Sequence, residues 1–397
     1  MMDERSPKLR VCYFGTYSRG EEYARNNAII SGLERNGVEV LDCQVDVWPT
    51  HEEKMAGVDQ GLLSLGWAYL KAYCRLAARY LALPDHAFLC VGYIGHVDMF
   101  PARLLGWFRR KPVVFDAFFS LYDTVVDDRG LYPKGSLRAR LLRLVDRWSS
   151  KLADLVLLDT RAQVDYFCRE FKLPRSKFLA IPLGTDEEHF YPRDWPPEDG
   201  GLEVISYSSY IPLHGIDVQL AAAALLREER DIRFTFVGKG QLYPEMRARA
   251  EEQGLDNVRF IEWVSHGELV ELIARADACL GVFGRTEKAA RVIPYKAYEA
   301  LAMRKPLITG DSPAARELLV DGEHVLLSPM GDAQALARTI RKLRDEPELR
   351  KSVAEKGHEL FLACCTSEKM ARAILSELEK RWPDRMPAGP ESERKKA

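Results

Sequence analysis

The alternation of short apolar runs with helical patterns constrains the fold of this chain most strongly. Six strand-length runs occur in the first half: Val11–Phe14, Val38–Leu41, Ala87–Val91, Val113–Phe115, Leu155–Leu158 and Phe178–Ile181. Six more follow: Val204–Tyr207, Phe234–Val237, Val258–Ile261, Ala278–Gly281, Leu307–Thr309 and Val325–Leu327. Helical patterns such as Leu269–Ala276 and Ala333–Leu343 separate nearly all of them. Short apolar strands between helices are typical of parallel sheets covered on both faces. The two series therefore predict two doubly wound α/β domains.

The predicted domain boundary lies in a segment rich in proline, glycine and acidic residues. We predict an N-terminal Rossmann-like domain at 1–183, a linker at 184–201 and a C-terminal Rossmann-like domain at 202–366. The chain has 397 residues, 47% of them hydrophobic, which is enough for two cores. Ligands of doubly wound sheets bind beyond the carboxyl ends of the strands, so two facing domains would enclose a binding cleft. The polar end of the chain, at 384–397, is predicted to be disordered.

Composition excludes several classes of function. A formal net charge of −2 gives no support for nucleic-acid binding. No apolar run approaches the ~20 residues of a membrane span, and the N-terminus lacks the apolar core of a signal peptide. The eight cysteines form no C-x-x-C pair, and several lie in apolar strands as buried thiols do. These features predict a cytoplasmic protein in a reducing compartment.

The segment 292–308 carries the most specific functional signal. Pro294 stiffens a loop that leads into a short helix, and this helix projects Lys296 and Glu299 on one face. Free N–H groups and the helix dipole make such an N-terminus a natural anion site. Lys296 would add a cation for phosphate, and Glu299 an acceptor suited to a ribose diol. The alternative is an ordinary charged pair on a surface helix.

This motif and others in the same order along the chain resemble the GT-B glycosyltransferases of the large retaining family 4, the glycosyl transferases group 1. The matching segments are 153–156, 181–186, 210–217, 236–240, 257–264, 276–278, 294–306 and 316–322. The resemblance covers residues from about 10 to 380 and implies two Rossmann-like domains facing each other across a cleft. It also implies a helix at 367–383 that returns to the N-terminal domain. The implied activity is sugar transfer from a nucleoside diphosphate sugar with retention of configuration. The nucleotide sugar would be a substrate, so no cofactor and no metal ligands are expected.

The chain departs from the family pattern at the phosphates. Family members often carry two glutamates eight positions apart; here Glu299 is the second, and Arg291 stands in place of the first. The arginine and lysine that the family often supplies after the first strand of the C-terminal domain are replaced by Ser208 and His214. We infer that Arg291 and Lys296 replace these cations at the donor diphosphate, in a variant with the pattern P-x-K-x-x-E. The alternative is that Arg291 is a surface residue and a protonated His214 carries the charge.

Further site residues follow from their positions at strand ends. The predicted donor-binding residues are Gly15, Thr16, His214, Gly238, Lys239, Trp263, Val264, Lys296 and Glu299. Arg291 and two residues at carboxyl edges of N-terminal strands, His96 and Asp116, are predicted to be catalytic. Competing interpretations are a simple turn at Gly15, a solvated loop residue at Lys239 and a loop-capping histidine at His96. A carboxylate in the apolar run at Asp116 must be paired or face a cleft, which favours function.

The acceptor is predicted to be a carbohydrate, a lipid-linked molecule or a small molecule. The segment 137–148 places Leu137, Leu141, Leu144, Val145 and Trp148 on one helical stripe flanked by arginines, which fits peripheral contact with the inner face of a membrane. An ordinary amphipathic helix packed on its sheet is the alternative.

Two other functions stay open: a non-catalytic nucleotide-sugar-binding protein and a nucleotide-sugar epimerase on the same fold. The pattern gives no indication of the sugar, the base or the oligomeric state.

Overall fold

The first half of the chain forms a six-stranded parallel sheet. The computed structural model describes residues 8–17, 24–47, 62–193 and 201–387. The strands are β1 (Arg10–Gly15), β2 (Glu39–Gln44), β3 (Phe88–Val91), β4 (Val113–Phe118), β5 (Leu155–Leu158) and β6 (Phe178–Ala180), in the order β2-β1-β3-β4-β5-β6. The helices are α1 (Ala24–Arg35), α2 (Leu62–Ala82), α3 (Met99–Phe108), α4 (Leu137–Leu152) and α5 (Arg161–Phe171). Each strand contains or overlaps one predicted apolar run.

The second half repeats this plan. Its strands are β7 (Leu202–Tyr207), β8 (Ile232–Val237), β9 (Val258–Ile261), β10 (Ala278–Leu280), β11 (Leu307–Asp311) and β12 (Leu326–Pro329), in the order β12-β11-β10-β7-β8-β9. Its helices are α6 (Ile216–Leu225), α7 (Tyr243–Glu252), α8 (His266–Arg275), α9 (Tyr295–Ala302), α10 (Ala333–Asp345), α11 (Pro347–Leu360) and α12 (Ser367–Arg381). All pairings within both sheets are parallel. The prediction of two doubly wound α/β units is confirmed.

Burial on both faces explains the continuous apolar runs. In β1, Cys12 and Phe14 pack into the core on one face of the first sheet, whereas Val11 and Tyr13 pack into the core on the other. Successive side chains of a strand point to opposite faces, so a strand with helices on both sides has no solvent-facing position. The second sheet also separates two apolar cores. Two covered sheets therefore account for the runs from which the fold was predicted.

The last helix, α12, packs against α1 of the N-terminal half. Gly32 permits this close approach, because a Cβ atom there would lie 2.1 Å from the carbonyl oxygen of Ser367. The predicted domain boundaries stay predictions; residues 194–200 of the linker and 388–397 of the tail lie outside the described residues. Residues Asp384 and Arg385, at the start of the tail predicted to be disordered, belong to a 3-10 turn, Pro383–Arg385. None of the described helices combines the length and apolar character needed to cross a bilayer.

The two halves meet through polar contacts. A π-helical segment, Asp123–Asp128, faces the loop before α9: the Thr286 hydroxyl donates to Asp128 over 2.9 Å. The carboxylate of Glu317 accepts hydrogen bonds from the backbone N–H groups of Arg161 and Ala162, which begin α5. A carboxylate at a helix N-terminus complements the unpaired N–H groups and the dipole. Charge and hydrogen bonding therefore contribute to this interface, beside apolar contacts such as that of Phe118 with Tyr295.

Candidate active site

A cavity of about 390 Å³ lies between the two halves of the molecule. The N-terminal half contributes α1 and the residues that follow β3 and end β4, and the C-terminal half contributes α8 and α9. The lining residues used below are Arg25, Tyr93, Phe118, Asp186, His266 and Glu299. A larger cleft of about 570 Å³ lies at the amino ends of β7 and β8. Doubly wound sheets bind ligands at the carboxyl ends of their strands, so we assign the candidate site to the cavity between the domains.

Glu299 lines this cavity from α9, which begins after Pro294. Burial raises the pKa of the Glu299 carboxyl to about 7, and the charge of Asp186 acts in the same direction. The Tyr207 hydroxyl and Lys296 oppose the rise in pKa. A carboxyl group with a perturbed pKa on the wall of a cleft is a functional-site candidate. Its position is compatible with the predicted ribose contact, which stays a prediction.

Lys296 is a buried cation one turn before Glu299. Its ammonium nitrogen has no hydrogen-bond partner among the described residues, and the side chain is only 5% exposed. Burial lowers the pKa of Lys296 to about 7, although Cys279 and Glu299 act to raise it. An unpaired buried ammonium is unfavourable unless a ligand supplies negative charge. Lys296 therefore has the electrostatics expected of an anion-binding group.

Arg291 has different neighbours. It ends a 3-10 turn, and its guanidinium lies 2.6 Å from Asp123 of the N-terminal half and 3.1 Å from Glu287. The same guanidinium lies over the ring of Tyr166, 4.3 Å from the ring centroid. Arg291 is not among the described residues that line the cavity. Joint binding of a diphosphate by Arg291 and Lys296 stays a prediction, and it requires Arg291 to leave Asp123.

His214 is half-buried at the end of the 3-10 turn that precedes α6. Burial lowers the pKa of its imidazole well below the ordinary value, and the positive charges of Lys296 and Lys288 lower it further. The imidazole is therefore neutral at neutral pH and does not supply a cation to a phosphate. Gly215 brings this turn against the C-terminal core, since a Cβ atom there would lie 2.5 Å from the backbone nitrogen of Gly284. The alternative in which a protonated His214 replaces Arg291 receives no support.

Four predicted donor-binding residues lie near the ends of β8 and β9. Gly238 has a φ of 117° and packs so closely on Ser208 that a Cβ atom would lie 2.1 Å from its carbonyl oxygen. The Lys239 side chain is exposed, as is that of Trp263 at 73%. Val264 is half-buried against one core of the C-terminal half. None of the four is among the described residues that line the cavity, so their predicted contacts with the nucleotide stay predictions.

The turn after β1 is tied to Asp98. The backbone N–H of Thr16 donates to Asp98 Oδ2 over 2.6 Å, and the Thr16 hydroxyl bonds to the same carboxylate. A Cβ atom at Gly15 would lie 2.7 Å from that oxygen, so only glycine fits. Gly15 and Thr16 thus form a tight turn, as the simpler interpretation predicts. Their contact with the sugar stays a prediction.

His96 lies inside the N-terminal half rather than on the cavity wall. Its Nε2 is 3.0 Å from the Phe119 carbonyl oxygen, and its ring meets the Phe115 ring edge-on. Burial lowers the pKa of His96 to about 4, although the Phe119 carbonyl opposes the shift. A neutral histidine that holds a neighbouring loop matches the competing interpretation. A catalytic role for His96 stays a prediction without a described contact to the cavity.

Asp116 is paired with a residue that sequence reasoning missed. Arg25, in the first turn of α1, donates to the fully buried Asp116 through Nε and Nη2, with Nη2 to Oδ1 at 2.8 Å. Burial lowers the pKa of Arg25, but Asp116 raises it above its ordinary value, so the guanidinium stays charged. Arg25 lines the cavity, and its Nη1 has no partner among the described residues. The only sequence signal was the buried carboxylate, which requires a cation but does not identify it.

The sequence predicts no metal-ligand cluster, but three ligand-type side chains meet beside the cavity. Asp186 and His189 lie in the connection after β6, and His266 begins α8. One ligand atom from each lies within 4.8 Å of the other two. Asp186 and His189 are three residues apart, but His266 is distant in sequence, so only the folded chain brings all three together.

Residues 188–360 match the family model described as glycosyl transferases group 1. A putative glycosyltransferase, EpsD, of Bacillus subtilis (strain 168) is 28% identical over 245 residues, 57% of this chain and 62% of that protein. The alpha-D-kanosaminyltransferase of Streptomyces kanamyceticus is 28% identical over 216 residues, 52% of this chain and 54% of that enzyme. The match thus spans little more than half the length of these relatives.

Solved structures resemble the whole chain. HepE of Anabaena, crystallised in complex with UDP, has a TM-score of 0.67 at 15% sequence identity, covering 94% of this chain and 100% of that chain. Sucrose-phosphate synthase from Thermosynechococcus elongatus has a TM-score of 0.68 at 17% identity, covering 95% and 100%. The chain has the GT-B fold, and the resemblance to GT-B glycosyltransferases is confirmed. Assignment to family 4 and to the P-x-K-x-x-E variant stays a prediction.

Proposed function

We propose that this protein is a glycosyltransferase that moves a sugar from a nucleoside diphosphate sugar to an acceptor in glycan or glycolipid assembly. The observation that carries the proposal is the α9 pair: Glu299 lies on the cavity wall, and the unpaired ammonium of Lys296 lies one turn earlier. The stretch that matches the glycosyltransferase family includes both residues. HepE is known in complex with UDP and with UDP-glucose, which supports a nucleotide-sugar donor here. Retention of configuration is implied only by the family resemblance.

Each charged group has a role in this scheme. Glu299 accepts hydrogen bonds from the ribose diol, and Lys296 faces the diphosphate. Negative charge grows on the diphosphate as the glycosidic bond breaks, so a positioned ammonium stabilises the transition state more than the bound donor. Arg25, kept charged by Asp116, offers Nη1 to a donor or acceptor oxygen from the opposite wall. None of these three groups needs a metal ion to act.

We propose that the acceptor is lipid-linked and that the N-terminal half contacts an anionic membrane. The apolar stripe of α4 faces outward: Leu137 is 83% exposed, while small or polar residues such as Ala139 and Ser149 face the protein. This orientation contradicts the alternative in which the stripe packs on the sheet. The neighbouring α3 exposes more apolar side chains, with Trp107 and Phe108 each 73% exposed.

Charge on the same surface fits a membrane rather than a protein partner. The residues of α4 include five basic side chains, all exposed: Arg138, Arg140, Arg143, Arg147 and Lys151. Its one acidic residue, Asp146, is buried and accepts from the Ser120 hydroxyl and from the backbone N–H groups of Leu121 and Tyr122. Helices with apolar and arginine-rich exposed faces lie in the interface of anionic bilayers. A location at the inner face of a membrane, in a reducing compartment, agrees with eight unpaired cysteines.

The proposed function is tested by donor binding followed by transfer. Thermal unfolding is measured with a panel of UDP-, GDP- and dTDP-sugars, since a ligand bound to the native state raises the melting temperature. The stabilising donor is then incubated with membrane extract, and NMR of the product reports its anomeric configuration. Binding without transfer or hydrolysis would support the non-catalytic alternative, and conversion of the donor without an acceptor would support an epimerase. An unchanged melting temperature across the whole panel would refute a nucleotide-sugar site.

A further inference from the structure

We propose that Asp186, His189 and His266 bind a divalent transition-metal ion, with zinc as the best fit. The proposed metal binding does not depend on the proposed glycosyltransferase activity, although the site adjoins the cavity assigned to the donor. Asp186 and His189 belong to the connection that leaves the N-terminal half after β6, whereas His266 is the first residue of α8 in the C-terminal half. The site would therefore attach this connection to the C-terminal domain.

The geometry is close to that of a bound ion. One ligand atom from each residue lies within 4.8 Å of the other two, and His189 Nδ1 is 2.8 Å from Asp186 Oδ2. The imidazole rings of His189 and His266 meet edge to face with centroids 5.0 Å apart. Zinc–ligand bonds of about 2.0–2.2 Å place neighbouring ligands of a tetrahedral ion about 3.3 Å apart. Small side-chain rotations would therefore bring all three ligand atoms onto one ion.

An unpaired nitrogen gives a second, independent observation. Nε2 of His266 is buried and has no hydrogen-bond partner among the described residues. Leaving a buried polar nitrogen unsatisfied costs free energy, and a metal ion would remove that cost. The other two ligands are held in one turn, because the Asp186 carbonyl accepts from the backbone N–H groups of His189 and Phe190. One turn thus holds Asp186 and His189, and Nε2 of His266 has no hydrogen-bond partner among the described residues.

The ligand types select the ion. Two imidazoles and one carboxylate suit zinc and its transition-metal neighbours, whereas calcium and magnesium prefer oxygen ligands only. Three protein ligands leave one tetrahedral position for water or an anion. Asp186 and His266 also line the cavity that contains Glu299. A bound dication would therefore neutralise Asp186 at the wall of the donor site.

The competing explanation needs no metal. The His189–Asp186 hydrogen bond can simply close the turn, and the His266 ring packs edge-on against Phe190 with centroids 5.1 Å apart. Under this explanation the three residues would show no more affinity for zinc than other histidines of the chain.

The test uses the full chain without a histidine tag, treated with a chelator and desalted. Calorimetry with Zn²⁺ and visible absorption with Co²⁺ report affinity and coordination. We expect one ion per chain and the intense absorption bands of tetrahedral Co²⁺. His189→Ala and His266→Ala should each weaken zinc binding at least about tenfold, since even outer-shell partners contribute about 10–100-fold. His324→Ala, which removes a histidine outside the trio, should leave the affinity unchanged.

Circular dichroism separates lost ligands from lost folding. Asp186→Asn provides a conservative variant, because it keeps a side-chain oxygen for His189 but lowers the charge of the site. Zinc affinity that is equal in the wild type and in all three folded variants would overturn the proposal, as would the absence of saturable binding. These experiments measure metal binding alone. A negative result would therefore leave the proposed nucleotide-sugar site untouched, and a negative donor-binding result would leave the proposed metal site untouched.

Discussion

Three charged side chains carry the proposed donor site: Arg25 and Glu299 line the cavity between the domains, and Lys296 lies one helical turn before Glu299. Arg25 stays charged because Asp116 accepts two of its N–H groups. Burial lowers the pKa of Lys296 and raises the pKa of Glu299, so both pKa values lie at about 7. A group whose pKa lies near the pH of the solution changes its protonation state readily when a charged ligand binds. The cavity wall therefore carries the cation Arg25 and the carboxyl group of Glu299, and we expect Lys296 to face the donor phosphates.

Glu299→Gln should weaken donor affinity by about 1–3 kcal/mol, because a charge-assisted acceptor of two diol protons becomes a neutral amide. Calorimetry with the stabilising nucleotide sugar measures the change. Glu355→Gln alters an exposed carboxylate on α11 and should leave the affinity unchanged. Wild-type affinity in a folded Glu299→Gln protein would remove Glu299 from the donor site.

Lys296→Met should stabilise the fold while lowering turnover. Burial lowers the pKa of Lys296 to about 7, so protonation favours the unfolded chain between pH 7 and the ordinary lysine pKa. The buried ammonium lowers the free energy of unfolding by its full amount below about pH 7, and this loss disappears as the pH rises toward 10. The substitution should therefore raise the free energy of unfolding by roughly 1–3 kcal/mol at pH 7, and by less at pH 9.5.

Denaturant unfolding at the two pH values measures this difference. Lys342→Met, at an exposed position of α10, is the matched control and should have little effect at either pH. A Lys296→Met protein that is less stable than the wild type at pH 7 would show that the ammonium has a stabilising partner.

The helix α4 shows that the same periodic pattern can place an apolar stripe toward the protein core or toward solvent. Its leucine stripe has the spacing of a helix that packs on a sheet, yet Leu137 and Leu141 are exposed, and the buried face consists of small and polar residues. Asp146 on that buried face holds the loop after β4 through three hydrogen bonds. Because the polar face already has its partners, the apolar face is free to bind a bilayer.

Trp107→Ser combined with Phe108→Ser should weaken binding to phosphatidylglycerol vesicles at least tenfold, since each buried aromatic side chain contributes about 1.5–3 kcal/mol. Co-sedimentation at low and high salt measures binding, and the arginines of α4 should make it weaker at high salt. Trp263→Ser changes a tryptophan of equal exposure on the C-terminal half and should not alter sedimentation. Wild-type protein that stays in the supernatant at low salt would refute the membrane surface.

At the level of the whole molecule, we expect the interface that joins the two domains to open. Its contacts include the Arg291–Asp123 ion pair, the Thr286–Asp128 hydrogen bond and the Glu317 cap on α5. Polar interfaces between domains permit hinge motion more readily than apolar ones. The connection at 184–201 and α12 are the segments that join the two halves and would act as the hinge.

Arg291→Ala should open the molecule in the absence of donor. Removing one partner of a buried ion pair typically costs about 3–5 kcal/mol, and here that cost falls on the closed arrangement. Small-angle scattering should show a larger radius of gyration for the variant, and saturating donor should compact the wild type. Arg285→Ala breaks an ion pair with Asp217 inside the C-terminal half and should leave the scattering unchanged. Superimposable profiles for the wild type and Arg291→Ala would exclude Arg291 as an interdomain contact.

Local patterns in the sequence determined the strands and the α9 motif. All twelve apolar runs became strands, since strands inside a sheet that is covered on both faces are apolar at most positions. Lys296 and Glu299 lie on one face of α9 because three residues nearly complete a helical turn. Both features depend on neighbours in the chain, so spacing alone was sufficient to predict them.

Which charges meet depends on how distant parts of the chain pack together. Arg25 pairs with Asp116 across 91 residues, and Arg291 pairs with Asp123 across 168. The sequence required a partner for the buried Asp116, but any of many arginines satisfied that requirement. It likewise left the direction of the α4 stripe open, since a 3.6-residue period is the same for an inward and an outward face. Pairing and facing depend on how distant elements pack together, and that packing is a property of the folded chain rather than of any segment.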